Sequence, residues 1–144
     1  MARVEFHFNA PALVPYACRL LRKAYGRGLR TQVVGHESTL GLLDQALWTF
    51  SALDFVPHCR ENAPDAVRDA SRVLLGTAVQ RDWRAQILVN LGERVPEGLE
   101  AFDRIIDVVT MDDLQRAQGR ERWRQYTRSG HELIRHDLSQ AAPA

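Results

Sequence analysis

Arg116, Arg120, Trp123, Arg124 and Thr127 recur at helical spacing near the end of a 144-residue chain. At ~100° per residue they share an arc of roughly 100° on one side of a helix. From 114 to 128 there are five Arg and one Glu, a local charge of +4 in a chain whose net charge is +1. A solvated charged face is the plain reading of such a run. Against it, an indole stands among the arginines, and those at i, i+4 and i+8 mostly lack nearby acids. Arginine forks bind carboxylates bidentately and an indole offers an apolar shelf, which suits an acidic peptide. Backbone charge with base stacking would suit single-stranded nucleic acid equally well. The residues alone leave the two even.

A second concentration lies at Trp48-Thr-Phe-Ser-Ala-Leu-Asp-Phe-Val-Pro57. It holds three of the eleven aromatic residues, Trp48, Phe50 and Phe55, where the regular pattern breaks at a helix end. Such rings either fill a core or form an exposed apolar patch that docks a partner, because Trp and Phe dominate interface hot spots.

Other chemistry fails on residue type or spacing. The first strand-to-helix turn is Asn9-Ala-Pro-Ala12, without the glycines that let backbone amides approach a phosphate, and neither GxGxxG nor GxxxxGK followed by Ser or Thr occurs. His131 and His136 are five apart, so their imidazoles diverge by about 140° on a helix and take opposite faces of a strand. They read as two exposed histidines. His58 and Cys59 are strand neighbours and point apart. There is no GxSxG elbow. Asp44, Asp54, Asp103 and Asp107 read as solvated caps and turns. The expectation is no catalytic residue, no metal and no cofactor.

Cys18 and Cys59 form no framework and read as small buried hydrophobes, which fits a reducing compartment. The chain is 45% hydrophobic and 26% charged, has no apolar run near the ~20 residues a membrane span needs, and opens without a signal-peptide pattern. The expected location is cytoplasmic. The 18 Arg against a single Lys, Lys23, leave the net charge too small for global basicity to argue for nucleic acid.

The elements that must position these residues follow from periodicity. Arg3–Phe8 alternates as a strand. Residues 12–25 are amphipathic, with Pro15 compatible with a first helical turn and Gly26 and Gly28 ending the helix. Leu29–Val34 predicts a strand, then a helix from about Ser38, as N-cap, to Trp48. Phe55–His58 predicts a short strand ending at a 59–65 loop, and Asp65–Ala70 a helical turn. Strands are expected at 73–75, 86–91 and 104–109, a short helix at 98–102, and a long helix at 111–128 with Asp112 and Asp113 at its positive end. His131–Leu138 reads as extended, and 139–144 as a frayed tail. This rhythm predicts one α/β domain over 1–144, three-layered with a mostly parallel sheet.

Leu43-Asp-Gln-Ala-Leu-Trp48 followed by Asp54-Phe-Val-Pro-His58 resembles the LDxxLW…FVPH signature of the chi subunit of bacterial DNA polymerase III. Arg120-Glu-Arg-Trp-Arg-Gln-Tyr126 resembles that family's final-helix pattern. Phe6-His-Phe8, Ile87–Leu91 and Asp107-Val-Val109 fall in step, while loops near 60–85 match poorly. The resemblance covers essentially the whole chain. It implies a Rossmann-like fold that binds no nucleotide, in a non-catalytic replisome adaptor that would carry a polymerase label only through its holoenzyme. Its implied partners are the psi subunit, which leads to the clamp loader, and the acidic C-terminal tail of single-stranded DNA-binding protein. The positions matching the tail site are Val109, Arg116, Arg120, Trp123 and Arg124; several family members have Tyr and Lys at the last two. Those matching the psi face are Trp48, Phe55 and Pro57. A direct single-stranded nucleic-acid binder is the alternative.

Overall fold

The computed structural model describes residues 2–49 and 55–140. Phe50, Asp54 and the 141–144 part of the expected tail lie outside the described residues. Strands β1 (Arg3–Ala10), β2 (Thr31–Val34), β3 (His58–Arg60), β4 (Val73–Gly76), β5 (Ile87–Asn90), β6 (Arg104–Thr110) and β7 (Glu132–Asp137) form one sheet in the order β3-β4-β2-β5-β6-β1-β7. Every pairing is parallel. The central strands β2, β4 and β5 are buried at every position, as a parallel sheet covered on both faces requires.

Helices α1 (Leu13–Gly26), α2 (Glu37–Thr49), α3 (Asp65–Ala70) and α4 (Asp113–Arg128) supply the crossovers. The steps β1→β2 and β2→β3 run one way along the sheet and β6→β7 the other. Right-handed crossovers therefore place α1 and α2 on one face and α4 on the opposite face. The two cores agree. Leu21, Leu40, Leu43 and Leu47 pack with Val33, Leu75 and Val89, whereas Tyr126 of α4 packs with Val4, Phe6, Leu88 and Ile105.

Three expected boundaries move. Helix α2 begins at Glu37, not after a Ser38 cap; the Glu37 carboxylate sits at the positive helix end and meets Arg60. The strand expected at 55–58 runs instead from His58 to Arg60, keeping only His58 and extending into the expected 59–65 loop. Pro57 has no N–H for the ladder, and its carbonyl accepts from the backbone N–H groups of Arg72 (2.8 Å) and Val73 (3.2 Å), so pairing starts one residue later. Helix α4 begins at Asp113, because the Asp112 carboxylate accepts from the Gln115 backbone N–H at 3.0 Å and caps the helix from outside. Pro15 lies in the first turn of α1, and Gly28, at φ +74°, ends it in the left-handed region only glycine enters freely. Residues 138–140 form a 3₁₀ turn, with the Ser139 hydroxyl bonded to Asp137 at 2.6 Å.

Candidate functional site

β1, β6, α4 and β7 meet around a cavity of about 470 Å³. Its floor is Val109, buried on β6, with Gly119 of α4 pressed against it: a Cβ on Gly119 would lie 2.9 Å from Val109 Cγ2. Glycine there lets the helix backbone approach the strand. Trp123 forms a half-buried wall, held edge-on by Phe6 with ring centroids 5.0 Å apart. Arg116, Arg120 and Arg124 rim the opening, all exposed. Arg124 is tied to Glu121 at 2.9 Å. Arg116 and Arg120 have no ion pair or hydrogen bond from their guanidiniums among the described residues. Among the described residues no acidic side chain lines the cavity.

The five expected tail-site positions Val109, Arg116, Arg120, Trp123 and Arg124 are thus brought together; Thr127 is not, and its hydroxyl turns back to the Trp123 carbonyl at 2.8 Å. The sequence reading missed Phe6, Phe8, Asn9 and Arg135, which β1 and β7 contribute. Arg135 lies over the Phe8 ring at 5.1 Å and adds a fourth cation to the rim. Asn9 sits at a ladder irregularity between His7 and Ala10 with φ +60°, and its amide donates to Asp137 at 2.9 Å. The Phe6/Phe8 alternation was the available signal; the neighbour it would meet was not.

The third arginine of the run has another role. Arg122, on the opposite side of α4, is buried and forms a bidentate pair with Asp107, its Nη2 donating at 2.8 Å and its Nε at 2.9 and 3.1 Å. Asp107 is fully buried and also accepts from Tyr126 Oη and Asn90 Nδ2, each at 3.1 Å. Reading it as a solvated cap or turn was wrong. Its strand runs beneath α4, and the +4 local charge loses one unit to this pair. Burial, then the Asp107 charge, pushes the Tyr126 hydroxyl pKa up, so it stays a donor. The network fixes the rotation of α4 and so the direction of Arg116 and Arg120.

At the far edge, Trp48 and Phe55 are exposed (62% and 42%) with ring centroids 4.9 Å apart, and Pro57 is half-buried beside them. They do not fill the core. They rest on His58, whose side chain is fully buried, donates from Nδ1 to the Val56 carbonyl at 2.7 Å, and sets Nε2 2.9 Å from Asp44. Asp44 was expected to be solvated, yet it faces this imidazole. Six strand spacings of ~4.8 Å separate β3 from β7, so this patch and the cavity stand on the order of 25–30 Å apart.

The two C-terminal histidines also differ from the expectation. His131 is half-buried, and His136, though exposed, reaches Glu5 at 3.3 Å. Glu5, His7 and His136 place three possible ligand atoms within 4.8 Å of one another. The Glu5 carboxylate is already engaged by Arg104 at both oxygens and by Arg3 at 3.2 Å, and those two positive charges oppose a cation. Burial would raise the Glu5 pKa, but the Arg104 bonds and charge hold it at about 2. Burial also lowers the His7 pKa. Cys18 and Cys59 are free and buried.

The family model described as "DNA polymerase III chi subunit, HolC" matches residues 1–134. A subunit of that name from Pseudomonas aeruginosa is 29% identical over 96% of this chain and 98% of its own length. Those from Haemophilus influenzae and Escherichia coli are 28% and 27% identical over 81% and 85% of this chain, covering 81% and 83% of their own lengths. In a solved complex of dbp5 from S. cerevisiae with nup159 and gle1, one chain aligns with 96% of this one at a TM-score of 0.64 and 13% identity. This chain spans 42% of that one, and the likeness shows the fold alone. No described helix is long and apolar enough to cross a membrane.

Proposed function

The chain belongs to the DNA polymerase III chi subunit family, and from that premise we propose that it is a non-catalytic cytoplasmic adaptor that holds two replisome partners at once. One partner is the acidic C-terminal tail of single-stranded DNA-binding protein, seated in the cavity between α4 and β1. The other is the psi subunit, seated on Trp48, Phe55 and Pro57, through which the chain reaches the clamp loader.

The observation that carries the first half is the pair of guanidiniums, Arg116 and Arg120, without ion pairs among the described residues, above an apolar floor with no acid among the described lining residues. A peptide ending in aspartates and an apolar residue complements it: its carboxylates meet the arginine forks and its last side chain rests on Val109 and Trp123. The contact is small and its charges are partly exposed, so affinity is micromolar and falls with salt. Several tails on one oligomeric partner raise the effective strength. For the second half, an exposed Trp–Phe pair fixed by a buried histidine suits a hot spot, and the separation of the two sites permits joint occupancy.

Calorimetric titration with the tail peptide, beside one lacking the final apolar residue, tests the reading. Micromolar binding lost on truncation, and weakened by Arg120→Ala without unfolding, supports it; unchanged affinity of the Arg120→Ala variant removes the cavity as the site.

A further inference from the structure

A second cationic stripe lies on the opposite face of the sheet, along α1 and its C-cap. Arg19 and Lys23 of α1 and Arg27, the residue that caps it, stand at i, i+4 and i+8, all exposed, and line a cleft of about 220 Å³ together with Tyr16 and Arg104. No carboxylate lines that cleft, and none of the three is ion-paired among the described residues. Arg19 meets only the face of Tyr16, at 6.0 Å. Arg104 reaches the cleft while bound to Glu5, so Glu5 is already neutralised by it. Like charges one helical turn apart repel, and no carboxylate among the described residues lining this cleft relieves them.

We propose that this stripe is a track for the phosphate backbone of single-stranded nucleic acid, separate from both sites above. The charge is linear rather than clustered: successive cations advance ~6 Å along the helix axis, close to the phosphate spacing of an extended strand. Tyr16 falls on the same arc and offers a ring beside the cations. An acidic peptide is the poorer occupant. The partly buried apolar side chains lining this cleft, Leu20 and Leu29, are aliphatic, with no flat indole such as Trp123 supplies, and a lysine point charge in mid-stripe favours a string of phosphates over a bidentate carboxylate.

The experiment is fluorescence anisotropy of a labelled 20-nucleotide oligothymidine with the full chain across a salt series. Wild type binds weakly at low salt, with a log–log slope near −2 for about three neutralised phosphates. Arg19→Ala/Lys23→Ala/Arg27→Ala weakens binding at least tenfold and flattens the slope. Arg19→Lys/Arg27→Lys keeps it, because the track needs charge rather than a guanidinium fork. These side chains are exposed, so the triple variant melts like wild type and binds the tail peptide unchanged, which keeps this test independent of the adaptor reading. The track is refuted by absence of oligonucleotide binding at low salt, or by loss in Arg116→Ala/Arg120→Ala with the triple variant unaffected. Displacement of the oligonucleotide from α1 by an acidic peptide at equal charge also refutes it.

Discussion

Replacing Arg122 with methionine removes the guanidinium that faces Asp107 and leaves the helix stem in place. Asp107 is then a fully buried carboxylate supported only by the Tyr126 hydroxyl and the Asn90 amide. Breaking a buried pair from one side costs about 3–5 kcal/mol, because the surviving charge is stranded. The Glu93 carbonyl, which accepts from Arg122 Nη1 at 3.0 Å, loses its donor as well. Against a total stability of about 5–15 kcal/mol, and ~2–4 °C per kcal/mol for a domain near this size, the melting temperature falls by on the order of 10 °C. Urea unfolding followed by circular dichroism gives the free energy by linear extrapolation. The double variant Asp107→Leu/Arg122→Met recovers part of the loss, since no charge is left buried, but not all, since Tyr126 Oη is then unpaired. A loss under ~1 kcal/mol for Arg122→Met, or a double variant no more stable than the single one, refutes the assignment of Asp107 and Arg122 as a buried, mutually dependent pair.

Gly119→Ala places a methyl against Val109, a stiff β-branched side chain, and costs about 1–3 kcal/mol of overpacking, offset in part by ~1 kcal/mol of helix propensity; thermal melts show a net loss and calorimetry weaker tail binding. Trp48→Ala abolishes co-elution with psi in gel filtration but leaves tail binding intact, and because the ring is exposed, stability changes little. Glu5 titrates at about 2 in the folded chain against an ordinary 4.5, so its contribution of about 3 kcal/mol is present above pH 4.5 and is lost as pH falls toward 2. Urea midpoints from pH 6 to 2 check this, and Glu5→Gln flattens that part of the curve.

Wherever the chain repeats with one period, the sequence declared the element: the β1 alternation, the α1 stripe and the arginine arc of α4 all stand where periodicity put them. Two helix starts moved because a local carboxylate, Glu37 or Asp112, sets the end, and the 55–58 strand moved because a backbone partner far away decides where pairing begins. Pro57 yields its carbonyl to residues 72 and 73, and no local pattern announces that contact. The misread of Asp107 has the same origin. In Arg104-Ile-Ile-Asp-Val-Val109 a lone acid among apolar residues looks like a turn signal. Its meaning depends on Arg122, which belongs by sequence to a solvent-facing run. Half the cavity was legible because α4 carries it on one helix face. The rest, Phe6, Phe8, Asn9 and Arg135, was not, because it depends on β1 lying between β6 and β7.

That adjacency also governs when the molecule can be finished. The first strand of the chain is the penultimate strand of the sheet, flanked by its last two strands: Arg3 is in register with Arg104 on one side and Glu132 on the other. Closing such pairs spans nearly the whole polypeptide, the kind of connection that slows folding most. During synthesis β1 emerges first and waits with both edges open until β6 and then β7 arrive. The cavity beside α4, which draws on β1, β6, α4 and β7 together, is accordingly assembled at the end, and a chain stopped short of Glu132 carries the Trp48 face without a complete cavity.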